Sequence, residues 1–514
     1  MTTYIPIGEW LPDLPCTGLA PQTNATTGQT SPGGAAGAFT ITNVIPNAQS
    51  YRPFPKLVPF AQSIGSIVLG GIIATDPASN NYNYFGDISA LYTLVQQSFS
   101  SVTRLVGGAY TVTNPDTWEF ANWGNTVIGV NGFTDPPQTI SLGAANFANL
   151  SQDVPVKGRH IGVMRDFVVL GNVSDSAAQV YRVRWCAIND PTTWSPSAAT
   201  MADFQDLPSE GGHIQKILGG DFGVVFQERS IWRMTFVGTP LVFQFDKIHN
   251  SIGAYAPQSA IKYQNISFFL SQEGFYAFDG TGLNAIGRGK VDQFFLGDLD
   301  VNFLNKVFAV LDQNNKLVMW AYPSSNAING NPDKIIIYSW AFNRWALVTG
   351  LNIQFFMQSI SNGYTLDGLD AVSTNLDTGI PYSLDSAQWT GGQVVLSAFN
   401  SQGQLSKFNG DAMAVTLDSG EFELFKDARA MITSIRPQVV GGDNLSSISV
   451  TVLNKNNLTE SASVGYASTV MNSTGFAPVR STARYFRIRL NTADGYNFTH
   501  IMGIEIDGSV AGVR

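Results

Sequence analysis

Short apolar runs recur along this chain at an interval that few folds allow. Taking one anchor per run gives Ile67, Val127, Val168, Val224, Phe268, Leu317 and Val394, spaced 60, 41, 56, 44, 49 and 77 residues apart. Each run reads as a strand, a turn, a second strand and then an aromatic residue. Most spacings match the ~40–50 residues of a four-stranded propeller blade. The units share no signature, so this is neither a WD40 nor a kelch array. The widest gap holds either an insertion or a further blade. The pattern predicts an all-β chain: a β-propeller of about seven (six to eight) irregular blades over 56–425.

The strands themselves support this reading. "DFVVLGN", "FGVVFQE" and "KIIIYSW" are nearly continuous apolar runs, as expected of strands buried on both faces. "DISALYTLVQQSF" (87–99) fits a helix or a pair of strands. From about 430 the pattern changes to clean alternation, as in "SSISVTVLNKNN" and "YFRIRLNTADG". Alternation places one face in a core and one in water, so 426–514 is expected to add a C-terminal β-sandwich-like domain or a final sheet packed on the propeller. Residues 1–55 are expected to form an N-terminal arm and extended segment. Within them, 17–40 are rich in Gly, Ala, Ser and Thr and read as an extended arm or a flexible loop.

Charge limits the partners. Only 13% of the 514 residues are charged, about half the ~25% of an average soluble protein. Surface without charge suits burial in an assembly. The net charge is −9 and there is no basic run. That argues against a nucleic-acid reader, whose affinity comes from Lys and Arg on phosphates, though not against a wall that nucleic acid passes. Two cysteines, Cys16 and Cys186, make neither a disulfide framework nor a metal knot. The N-terminal "MTTYIPIGEWLPDLP" lacks a basic and an apolar region, so no signal peptide is expected. No apolar run approaches the ~20 residues of a membrane span.

Three groups of residues have the look of chemistry. "YRVRWCAINDPTTW" (181–194) gathers Arg182, Arg184, Cys186 and Asp190. A catalytic cysteine needs a base, and the closest histidines in sequence are His160 and His213. The better reading is a strand with Arg182, Arg184 and Cys186 on one face and Val183, Trp185 and Ala187 on the other, closed by an Asn-Asp-Pro turn. "LDTG" and "LDSG" put Asp377 and Asp418 in the motif of aspartic proteases, whose two carboxylates share one proton. They lie too close in sequence to occupy separate lobes, and both read as turns. "DLDVNFLN" opens like a calcium loop with Asp298, Asp300 and Asn302, but has no glycine at position six and Ala309 at position twelve, where a glutamate is needed. His160, His213, His249 and His500 are scattered, without zinc spacing.

No P-loop, dinucleotide fingerprint, nucleophile elbow or sialidase box occurs in the sequence. Trp118/Trp123 and Trp340/Trp345 form close pairs that suit sugar stacking or blade packing equally. No catalytic residue, cofactor or metal ligand is therefore assigned, and no enzyme activity is expected.

Several stretches taken in order resemble one family. They are "YIPIGEWLPDLP", "NVIPNAQSYRPFP", the 181–194 segment, "ERSIWRMTFVGTPLVFQFDKI", "SIGAYAPQSAI", "FFLSQEGFYAFDG" and "ARYFRIRLNTADGYNFTHIMGIEIDGSVAGVR". Together they are similar to the tail nozzle proteins of short-tailed bacteriophages (podoviruses), also called tail tubular protein B or packaged-DNA stabilisation proteins. The resemblance covers most of the chain; residues 17–40 are its least family-like part. It implies a structural virion protein, assembled in the host cytoplasm, forming a homohexameric ring at the distal end of the tail. That ring would meet the portal and adaptor proteins and the fibres or spikes. It would close the DNA channel and open it for ejection, with genomic DNA passing without sequence-specific binding. Lumen-facing loops are expected among "DPASNNYNYFGD" (76–87) and "PSSNAINGNPD" (323–333). The alternative from another class is a carbohydrate-binding or depolymerising β-propeller at the host surface, marked by an exposed cleft of Trp with Asp or Glu.

Overall fold

The computed structural model describes residues 2–14, 22–23, 30–31, 37–360, 394–426, 428–442 and 444–512. Its described residues build seven four-stranded antiparallel blades: six are separate sheets, and blade 6 is the first four strands of a ten-stranded sheet. Blade 1 comprises Gly70–Thr75, Asn81–Gly86, Leu91–Val95 and Ser98–Ser101. Blade 2 comprises Glu119–Trp123, Thr126–Val130, Gln138–Ser141 and Ala148–Asn149. Blade 3 runs from Lys157–Met164 to Asp203–Asp206, blade 4 from Ile214–Leu218 to Val242–His249, and blade 5 from Ile261–Tyr263 to Leu283–Ala285. Blade 6 runs from Phe308–Asp312 to Arg344–Val348. Blade 7 takes Ile353–Ile360, Val394–Asn400 and Gln404–Ala412, and its fourth strand, Pro55–Ser63, comes from the other end of the chain. That strand closes the ring, because it pairs Leu57 with Phe408 and Ser63 with Gln404. The first strands of blades 1 to 4 lie side by side in turn, as do those of blades 5, 6, 7 and 1, around an axis, as in a β-propeller.

Six of the seven sequence anchors fall at or beside the second strand of a blade. Val127, Val168, Val224, Phe268 and Leu317 are buried there. The doubled apolar residues have a physical reason. Neighbours in a strand point to opposite faces, and a blade has another blade on each side. Val168 packs toward blade 2 and Val169 toward blade 4. Phe269 packs toward blade 4 and Phe268 into the core shared by blades 5 to 7. Ile67 is the exception: it is exposed and precedes the first sheet, where Val68 is the buried residue. The widest gap spans the first strand of blade 7, and 361–393, between its first and second strands, lie outside the described residues.

Residues 87–99 form strands, not a helix. Gln96 adopts φ 57° at the turn between Leu91–Val95 and Ser98–Ser101. Of the two loops singled out, 76–87 is largely the second strand of blade 1, with Tyr84 and Phe85 buried. Only 76–80 is a turn, held by Asp76 accepting from Asn80. Residues 323–333 connect two strands of blade 6 and are clamped by Asp333 accepting from the backbone and hydroxyl of Ser324, both at 2.7 Å.

The C-terminal part is a two-sheet sandwich that the N-terminal segment helps to build. One sheet orders Ala477–Ala483, Arg429–Val440, His500–Gly512, Tyr51–Pro53 and Val44–Pro46, with Thr2–Pro6 also paired to His500–Gly512. The other contains Thr416–Asp418, Tyr485–Thr492, Ile448–Lys455 and Ser463–Val470. It runs through Ile41–Thr42 into Arg344–Val348, so it is continuous with blade 6.

Candidate functional site

The 181–194 segment is the third strand of blade 3 and the turn after it. Cys186 is buried; the backbone N–H of Val168 donates to its sulfur at 3.1 Å. Burial pushes the thiol up to about 12, so no nucleophilic thiolate forms at neutral pH. Arg182 forks onto Asp206 at 2.7 and 2.8 Å and also donates to Asp175 at 2.9 Å, above the ring of Phe204. Arg184 donates to Asp175 and to the carbonyl of Trp194. Asp190 accepts from both Thr192 and Thr193, which lowers its pKa and shapes the turn. The two arginines are therefore spent within their own blade.

The remaining sequence candidates are also separate from one another. Asp418 is buried and receives a bidentate pair from Arg489, both bonds at 2.7 Å, between adjacent sandwich strands. Its expected partner Asp377 lies outside the described residues. Asp298 accepts from Lys334 and from the hydroxyl of Tyr322, while Asp300 caps the 3-10 turn Val301–Lys306. His249 accepts from the backbone at 251 and 252, and His500 meets Ser50.

The structure does assemble one charged site that sequence reading missed. A cavity of about 360 Å³ opens on the propeller axis, lined from blades 2 to 6 by residues including Asp116, Arg159, His160, His213, Gln258 and Asn305. Beside it Glu119 is buried and receives His160 Nδ1 at 2.9 Å, Lys216 Nζ at 3.0 Å and Gln258 Nε2 at 3.1 Å. Burial alone would raise the Glu119 carboxyl, but Lys216 and His160 outweigh it and bring it down to about 2. Asp116 lies 2.8 Å from Arg159 and is nevertheless raised, because burial dominates. Asn172, at φ 54°, also lines the cavity, and its buried side-chain oxygen has no hydrogen-bond partner among the described residues.

This network joins four blades. The carboxylate of Glu119 belongs to blade 2, His160 to blade 3, Lys216 to blade 4 and Gln258 to the turn before blade 5. One oxygen of Glu119 carries three contacts, and the other accepts from the backbone N–H of Ile161 at 3.4 Å. Glu119 thus ties four blades together beside the cavity. The signal in the sequence was polar residues at the same phase of each unit: "DTWE", "GRH", "HIQK" and "PQS" each open a blade.

A second feature lies on the sandwich. Ser463–Val470 is the last strand of its sheet, and its outer edge has no strand partner among the described residues. Val464 and Val470 are 63% and 52% exposed. No charged residue occurs from 461 to 479. Two register shifts bend the strand but place no charge on it. The tryptophans behave differently: Trp10, Trp118, Trp185, Trp194, Trp320 and Trp345 are buried, and Trp123, Trp232 and Trp340 are partly so.

No family model and no curated protein matches the chain. Among solved structures it is similar to the extracellular domain of BT4673 from B. thetaiotaomicron, at 9% identity and a TM-score of 0.41. That match covers 75% of this chain and 44% of the other, so the chain spans less than half of that domain's length. It is similar also to the Pan2 WD40 domain of Neurospora crassa, at 7% identity and a TM-score of 0.38, covering 71% and 96% of the two chains. A third is BBS1N in complex with ARL6DN, at 9% identity and a TM-score of 0.39, covering 70% and 97%.

Proposed function

We propose that this chain is a structural ring subunit of a short bacteriophage tail, the nozzle that closes the DNA channel and opens for ejection. The edge of Ser463–Val470, uncharged and without a strand partner among the described residues, carries the assembly half of this reading. Isolated proteins protect such edges with lysines, prolines or a covering element, because a bare edge pairs with another chain. A subunit that is permanently assembled needs no such protection. The tail half rests on the ordered resemblance of the seven stretches quoted above. A net charge of −9 further suits a wall that must not retain passing DNA. Portal and adaptor proteins above, and fibres or spikes around, are the partners this role entails.

The test is imaging of assembled particles. Six copies around an axial channel at the distal end of the tail are expected. A monomer located away from the tail axis overturns the reading. The alternative, a propeller contacting host polysaccharide, draws on the axial cavity, but six of the nine described tryptophans, which a stacking platform would need exposed, are buried. Direct binding of host polysaccharide by the purified chain, with no ring formed, would decide for it.

A further inference from the structure

Leu105 and Val106 are 83% and 82% exposed, the highest values for large apolar side chains among the described residues. They sit on the connection from blade 1 to blade 2, and that connection is rigidly built. The guanidinium of Arg104 is buried inside it. It donates to the carbonyls of Gly107, Gly108 and Ala109, to Asn149 at 3.0 Å and to Asp135 at 2.7 Å. The backbone N–H of Arg104 donates to the hydroxyl of Tyr110, whose ring lies 4.5 Å from the guanidinium. Gly107 and Gly108 take φ of 108° and 73°, which lets the chain wrap the charge. Ile88, 49% exposed, is tied to the far end of the same connection, where Val112 donates to its carbonyl at 3.1 Å. From 105 to 115 no residue is charged. The loop holds its one cation inside and presents two apolar side chains outside in a fixed conformation.

We propose that Ile88, Leu105 and Val106 of one copy dock against the Ser463–Val470 edge of the next copy, forming the contact that closes the ring. This rests on the assembly reading above. Two copies of a chain carrying −9 repel each other, so their contact belongs where carboxylates are absent. The tip and the edge are two such places, at 105–115 and 461–479. They lie on different parts of the molecule, a propeller connection and a sandwich edge. A contact between unlike surfaces is heterologous and builds a ring or a filament, not a closed pair. The preformed loop loses little conformational freedom on docking, which favours association.

The full-length chain tests this by light scattering over a range of concentrations. The wild type should assemble. Leu105→Ser with Val106→Ser, and separately Val464→Lys with Val470→Lys, should each raise the concentration needed for assembly by about tenfold or more. Their circular dichroism should stay unchanged, because all four side chains are exposed. Mixed in equal amounts, the two variants should form pairs and nothing larger, since each keeps one intact surface. Either variant assembling as the wild type does, or a mixture that stays monomeric, overturns this contact while leaving the assembly reading intact. A wild type that is monomeric at every concentration overturns both.

Discussion

The propeller and the sandwich are both antiparallel β-structure, yet they bury their strands differently. A blade strand has a neighbour sheet on each face, so successive residues are equally buried: Phe268 and Phe269 enter different cores. A sandwich strand has one. Ala477–Ala483 alternates strictly between buried and exposed residues. The same backbone pattern therefore tolerates substitution at every second position in one region and at hardly any in the other. The charged groups divide accordingly. In the propeller they join strands within a blade, as in Arg182 with Asp206, and join blades around Glu119. In the sandwich they bridge neighbouring strands, as in Asp418 with Arg489 and Glu421 with Lys455.

The largest expected effects come from neighbouring pairs of substitutions. Phe268→Ala and Phe269→Ala should each cost about 3–5 kcal/mol, because each opens a cavity in a packed core. In the sandwich the neighbours should separate. Val479→Ala should cost about 1–2 kcal/mol, while the exposed Arg480→Ala should fall within about 0.5 kcal/mol. Chemical denaturation of the four variants checks this. Equal losses at 479 and 480, or a silent member of the 268/269 pair, would break the comparison.

The axial charges come next. Glu119→Gln leaves the ammonium of Lys216 without its countercharge and should cost about 3–5 kcal/mol. Asp418→Asn should cost less, about 1–3 kcal/mol, because more than a third of the Arg489 side chain reaches solvent. Acid sharpens the contrast. The Glu119 carboxyl is held near 2 in the folded chain against about 4.3 when unfolded. Its contribution is thus complete above the unfolded value and is lost as pH falls through the folded one. Between about pH 5 and pH 2, the wild type should lose stability more steeply than Glu119→Gln, as read from thermal unfolding.

These contrasts explain what the sequence disclosed. Blade number was legible because each second strand needs doubled apolar residues, and Val127/Ile128, Val168/Val169 and Val224/Val225 provide them. Blade 1 was misplaced onto Ile67 because its second strand is aromatic, Tyr84 and Phe85, within a polar stretch that reads as a loop. Ring closure was not legible. Pairing of Leu57 with Phe408 joins residues from opposite ends of the chain, and no local pattern specifies so distant a partner. Nor was the axial site, whose members come from four blades and meet only once the ring closes. The reading of Arg182, Arg184 and Cys186 as strand residues followed from alternation alone. Which acids the arginines meet, Asp175 and Asp206, depends on a hairpin and a fourth strand that alternation does not place.

The last expected effect concerns the contact between the N-terminal segment and the propeller. Asp13, from the N-terminal segment, accepts from the backbone of Gln293 and Phe294 at the start of the short helix Asp292–Asp298. Asp292 is buried beside it and accepts from the backbone N–H of Phe275 at 3.0 Å. Burial chiefly, with Asp13 adding to it and Phe275 and Arg288 opposing, raises the Asp292 carboxyl to about 6. A carboxyl raised in the folded state favours folding while protonated, so its ionisation weakens the fold as pH rises from the unfolded value through the folded one. Asp292→Asn keeps an acceptor for Phe275 and cannot ionise. Its melting temperature should exceed the wild type's by a few degrees above pH 7 and match it near pH 4. The same gain at both pH values would assign the effect to packing and remove the ionisation of Asp292 as its cause.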